Sequence, residues 1–195
     1  VFNPATSTTV YSENPALALR DFITDTPAGL GAAVDNTSLQ ALQSDNDAVV
    51  TTEARRKLGL IVARPNPAQA WTNVLQTYAG GWAFLRGATW HFASDRPGSS
   101  VATFTIANMV KGSFKVAMAD RAQIPTRVRV VYTDTGATPW RERDDPVAEL
   151  AGVSSGVVPL RESVIRLPGV HRYSQATREA AERLNKLQQA VTITF

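Results

Sequence analysis

Between residues 67 and 93 the hydrophobic period changes, and that change limits the chain to a mixed fold. Trp71, Val74, Leu75 and Tyr78 fall at i, i+3, i+4 and i+7 behind Asn66-Pro67. This spacing puts four large apolar side chains on one helical face, and proline suits the first turn. Gly80-Gly81 ends the helix, because glycine readily takes the left-handed conformation that closes a C-terminus. Trp82-Ala83-Phe84-Leu85-Arg86 and Thr89-Trp90-His91-Phe92-Ala93 then flank Gly87-Ala88. Two aromatic-rich runs around a Gly-X pair predict a hairpin with a II′ turn. Helix and antiparallel strands so close together predict the α+β class.

The rest of the chain keeps the mixture. Ser12-Glu13-Asn14-Pro15 writes a helix start, followed by Leu19, Phe22 and Ile23 on one face and by Pro27, Gly29 and Gly31 as a stop. Residues 36–47 predict a second short helix around Leu39 and Leu42, and the run from Glu53 to Val62 predicts a strand over its apolar end. Arg96-Pro97-Gly98-Ser99-Ser100 reads as a linker. Beyond it, strands are expected near 103–106, 113–117, 126–133, 162–167 and 191–195. In the third of these Val128, Val130 and Tyr132 alternate with Arg127, Arg129 and Val131, giving one buried face and one long-stemmed basic face. Residues 134–160 are expected as a long loop. Ser174 is the expected cap of a helix over 174–189, with Ala180, Leu184 and Leu187 inward and Glu179/Arg183 and Glu182/Lys186 paired outside. The expected architecture is two small α+β subdomains, 1–98 and 99–195. Short helices (near 14–25 and 67–79 in the first) pack on antiparallel strands, including the hairpin 82–93, and a strand follows the C-terminal helix.

Composition narrows the chemistry. The 195 residues are 44% hydrophobic and 19% charged, enough apolar material for a core and too much for a disordered tail. The absence of cysteine excludes disulfides, thiolate catalysis and Cys-ligated metals. Twenty basic against 17 acidic residues leave +3, too mild a charge to predict sequence-specific nucleic-acid binding. No run reaches the length of a transmembrane segment. The chain opens at Val1 instead of methionine, and we expect an internal piece of a longer polypeptide.

Candidate chemistry is sparse. Gly152-Val153-Ser154-Ser155-Gly156 fits G-x-S-x-G, and Glu162 and His171 follow in the serine–acid–histidine order of a serine hydrolase. That mechanism needs the serine on a strand-to-helix turn, whereas Val157-Val158-Pro159-Leu160 follows here, and Pro159 is incompatible with a helix interior. Gly29-Leu30-Gly31 lacks the third glycine of a dinucleotide loop, whose place is taken by Val34, and reads as a helix stop. Glu142, Asp144, Asp145 and Glu149 are interleaved with Arg141 and Arg143 and predict a solvated turn. Asp45-Asn46-Asp47 lacks the glycine and distal glutamate of a calcium loop. His91 and His171 are too few for a histidine metal site, and His91 is expected at the surface or rim. Periodicity assigns Trp71, Trp82 and Trp90 to buried positions and leaves Trp140 as the exposed candidate for a glycan-binding module. The expectation is therefore no enzyme, no catalytic or metal-binding residue and no cofactor.

Several stretches, in collinear order, carry a family likeness. Thr9 to Asp25 contains Asn14-Pro15-Ala16-Leu17 and Asp21-Phe22-Ile23-Thr24-Asp25, and Gly29-Leu30-Gly31 follows. Pro67 to Tyr78 leads into Gly81-Trp82 and the Gly87 hairpin. Then come Asn108-Met109-Val110-Lys111-Gly112-Ser113-Phe114 and Pro125-Thr126-Arg127-Val128-Arg129-Val130-Val131-Tyr132. Ile165 to Gly169, Ser174 to Leu187 and Val191 to Phe195 complete the series. Together they resemble the phage tail tip attachment protein J family, the central fibre or baseplate hub proteins of long-tailed phages and gene-transfer agents. The chain departs from that pattern at 142–160, a Ser/Gly-rich connection, and at His171-Arg172-Tyr173.

The resemblance implies a virion structural protein at the tail tip, made in the host cytoplasm and serving tail assembly and DNA delivery. It implies a homotrimer in the full-length protein, with other tail-tip or baseplate proteins and the distal tail tube as partners. It also implies tube-like barrels carrying inserted α+β domains, this chain being the inserted part plus strands returning to a barrel.

Overall fold

Asn14 shows how local chemistry sets the first element. In this computed structural model, which describes residues 1–61, 67–98, 105, 107, 109–110, 112–189 and 191–194, its side chain accepts the Ala16 amide at 2.9 Å. Its own amide group donates to the Gln43 carbonyl at 3.1 Å, so one buried residue both caps α1 (Pro15–Thr24) and ties it to α2 (Asn36–Asp47). The chain forms two compact units, residues 1–97 with 169–171, and residues 98–168 with 172–195. The α+β class expected from the sequence is the class observed.

In the first unit, β1 (Phe2–Asn3) and β2 (Thr8–Thr9) form a short ribbon before α1. After β3 (Ala33–Val34), Asp35 caps α2 by accepting the Ser38 amide at 2.8 Å. A ribbon of β4 (Val49–Val50) and β5 (Glu53–Ala54) follows, then α3 (Ala68–Ala79), which ends on Gly80 at φ 60°. The hairpin of β6 (Gly81–Arg86) and β7 (Thr89–Ser94) comes directly after. Gly87 has φ 66° and Ala88 does not have positive φ, as the II′ turn requires. The sheet order is β3-β7-β6, with β3 parallel to β7.

Leu17, Leu19 and Ile23 of α1 meet Leu39 and Leu42 of α2, Leu75 and Ala79 of α3, and Phe92 of β7. Each leucine so buried contributes about 1.5–3 kcal/mol relative to exposure, which is what holds three short helices on a small sheet. The expected strand at the end of 53–62 is not formed through Ile61, and Val62 lies outside the described residues. Only β5 pairs in a ladder there. Leu58 and Gly59 instead make single backbone bonds, to Glu13 at 2.8 Å and Gly169 at 3.0 Å, so the segment is extended without belonging to a sheet.

The second unit is organised on β9 (Arg127–Asp134). β12 (Glu162–Leu167) runs parallel along one side of it, in register from Glu162 opposite Arg127 to Leu167 opposite Tyr132. β10 (Arg141–Arg143) and β11 (Val147–Glu149) pair antiparallel with its two ends on the other side. The long loop expected over 134–160 therefore contains two strands. Three-residue strands show no period in a sequence, and these exist because β9 offers its free edge. Helix α4 (Tyr173–Gln188) packs on β9, and its Ala176, Ala180 and Leu184 join Val128, Val130, Tyr132 and Leu167 among the buried residues.

Ser174 is not the cap of α4: Arg172 holds that position, without a side-chain capping bond. Glu179 is also placed differently, 6% exposed on the inner face beside buried Gln175, while Leu187 is half-buried. A separate ribbon joins β8 (Lys115–Met118) to β13 (Val191–Thr194). The strand expected near 103–106 lies outside the described residues except for Thr105, as does Phe195.

Candidate functional site

Ser154 sits in a run of turns over 151–156, closed by bonds from Val153 to Leu150, Gly156 to Val153 and Val158 to Gly152. Gly152 and Gly156 take φ of 91° and 77°, which a side chain would strain. The next element after the serine is the strand β12, so the strand-to-helix turn of a hydrolase is not built. The serine hydroxyl hydrogen-bonds Glu149, not Glu162. Glu149 in turn accepts two bonds from Arg127, at 2.9 Å from Nε and 2.6 Å from Nη2. With one oxygen taken by the guanidinium and the other by the serine hydroxyl, Glu149 anchors the turn to β9. Glu162 is engaged by Arg129 at 3.0 Å. His171 belongs to the first unit, its imidazole lying flush against Gly59. The three candidate groups are each committed to another neighbour.

The acidic cluster forms a ladder of ion pairs with the arginines of the sheet. Glu142 meets Arg166 at 3.0 Å, Asp144 meets Arg129 at 3.2 Å, and Arg143 bridges Asp145 at 2.8 Å and Asp134 at 3.3 Å. Bonding and attraction from Glu162, then Asp144, raise the Arg129 pKa; Asp145 and Asp134 do the same for Arg143. Burial raises the Tyr132 phenol. Sequence reading found these charges but not their partners, because strand register decides which residues meet. Each carboxylate of the cluster, Glu149 included, is thus matched to a guanidinium.

Asp45, read in the sequence as part of a failed calcium loop, is a structural node. It is paired with Arg55, accepts Arg96 at 2.8 Å and accepts the Ser94 hydroxyl at 2.9 Å. Among the described residues no three His, Asp or Glu side chains converge as a metal site. His91 is half-buried, stacked on Phe84 with ring centroids 6.0 Å apart, and its Nδ1 lies 3.6 Å from Asp35. Hydrogen bonds from the Ser38 hydroxyl and amide are the leading causes that hold the Asp35 carboxyl below its ordinary range.

Trp140 is 67% exposed, as its polar surroundings predict, but Trp82 is 60% exposed against the expectation of burial. The hairpin buries one face only, and Ala83, Trp90 and Phe92 occupy it. Trp71 lines an apolar cleft of about 340 Å³ with Phe22, Leu58, Leu60 and Leu75, bordered by Asp21 and Asp25. In the second unit Phe114, Val116 and Met118 are exposed around β8. Among the described residues no helix is long and apolar enough to cross a membrane.

These features define two α+β units with exposed apolar strands and, on the second, carboxylates matched to arginines. The fold is similar to that of a chain in the solved structure titled "Virion of native gene transfer agent (GTA) particle", at a TM-score of 0.50 and 20% identity. The likeness covers 65% of this chain and 28% of that one, so the present chain corresponds to little more than a quarter of that neighbour. No curated protein sequence matches. Residues 67–195 match the family described as "Putative phage tail protein", and the chain belongs to that family.

Proposed function

We propose that this chain is a structural, non-enzymatic module of a tail tip attachment protein J, the hub of a phage tail tip or baseplate. The observation that carries the reading is the β8–β13 ribbon. Among the described residues it has two strands, a number marginal in water when alone, and Val116 and Met118 stand 48% and 78% exposed on β8. Such a ribbon fits a larger sheet completed outside this chain, as in a barrel to which an inserted α+β body returns. The family match and the collinear tail-tip motifs support the same reading. In it, the full-length protein is a homotrimer in the virion, contacting other tail-tip proteins and the distal tail tube.

Solution mass of the full-length polypeptide, by light scattering, tests the assembly. Three copies per particle support the hub. A monomer at every concentration, with no ring in negative stain, overturns it.

A further inference from the structure

We propose that β6 is a docking edge for an extended strand of another polypeptide, one that lays apolar side chains over Trp82 and Phe84 and sets a carboxylate opposite Arg86. Among the described residues β6 is the outer strand of the β3-β7-β6 sheet. In a hairpin closed by a two-residue turn, Arg86 with Thr89, Phe84 with His91 and Trp82 with Ala93 exchange the ladder bonds. Ala83 and Leu85 therefore turn their N–H and C=O groups away from β7. Neither has another hydrogen bond among the described residues.

The usual protections of an edge are missing. Residues 81–86 contain no proline, lysine, aspartate or glutamate, and the register against 89–94 runs without a bulge. Trp82, Phe84 and Leu85 are 60%, 46% and 58% exposed. Arg86 is exposed and makes no ion pair among the described residues.

The edge also specifies its occupant. Open N–H and C=O groups two residues apart match the ladder of an extended chain, whereas a docked helix, whose backbone groups bond one another, would not pair with them. Trp82 and Phe84 share a face at strand spacing, about 7 Å, so they select apolar residues at alternate positions of the incoming strand. The unpaired guanidinium of Arg86 selects an acidic residue beyond them.

The probe is a synthetic peptide alternating valine and threonine with a terminal glutamate, compared with the same peptide carrying a central proline. Amide exchange of Ala83 and Leu85 is read by NMR on the intact chain. At saturating first peptide both amides are expected to slow roughly tenfold, while the proline peptide has no effect. Leu85→Pro removes an outward N–H, at a side chain that lies off the Trp82–Phe84 face, and is expected to weaken binding about tenfold with the β6–β7 amides still protected. Arg86→Glu, which leaves the backbone unchanged, is expected to shift preference to a peptide ending in lysine. Absence of slowing, or equal slowing with the proline peptide, overturns the proposal. So does slowing without peptide: if it grows with protein concentration a second copy is the occupant, and if it persists on dilution another segment of this chain is.

Discussion

The Tyr78 hydroxyl accepts the amide hydrogen of Gly169 at 3.0 Å, joining α3 to a segment 91 residues further along the chain. Both residues are buried, and a side chain on Gly169 would press on the Tyr78 ring and on Leu58. Three residues from the far half thus complete the first unit. Tyr78→Phe strands a buried N–H, and urea unfolding should show a loss of about 1–3 kcal/mol. Gly169→Ala should destabilise through crowding, with the hydroxyl still in place.

Asn14 serves two partners, the Ala16 amide and the Gln43 carbonyl. Asn14→Ala removes a helix cap and leaves a carbonyl unpaired, so stability should fall by about 1–2 kcal/mol. Asn14→Asp restores the acceptor but not the donor, and denaturant midpoints should place it between the two.

Asn46 is fully buried, and among the described residues neither its side-chain nitrogen nor its oxygen has a hydrogen-bond partner. Replacing an unsatisfied amide with an apolar group of similar volume removes a desolvation penalty. Asn46→Leu should therefore keep or raise stability, by up to about 1–2 kcal/mol, in urea titration. A loss of that size would mean that the amide has a role its contacts do not reveal.

Asp35 carries the pH dependence whose sign is clearest. Its folded pKa is depressed below the ordinary 3.8 by Ser38. The stabilisation is fully present above the unfolded pKa and is lost as pH falls through the folded value. Asp35→Asn, still a competent cap, should flatten the stability profile below about pH 4. Ser38→Ala should move the Asp35 titration upward, read from its carboxyl shift by NMR.

Ser154 should be inert. Its hydroxyl is bound to Glu149, which Arg127 neutralises, so a fluorophosphonate should leave it unlabelled. Labelling that disappears in Ser154→Ala would reinstate the hydrolase reading.

Helices α1, α2 and α3 were legible because each carries its own signals: a cap or proline at the start, apolar residues at helical spacing and, for α3, a left-handed glycine at the end. β9 was legible from Val128, Val130 and Tyr132, since alternation is a local property. What local pattern cannot contain is the partner. β10 and β11 are strands only by virtue of β9, and Glu149 meets Ser154 and Arg127 only once β11 is paired. Trp82 is exposed against its periodicity because alternation does not say which face of a hairpin is covered. Leu58, Leu60 and Ile61 have the apolar run of a strand but find no neighbouring ladder among the described residues.

Position in the virion is the most direct test of the account. Antibody raised against residues 67–195 and imaged by electron microscopy on intact tails should decorate the distal tip, with binding lost on pre-incubation with the purified chain. Decoration along the tail shaft, at the head, or nowhere on particles that contain the polypeptide would contradict a tail-tip hub.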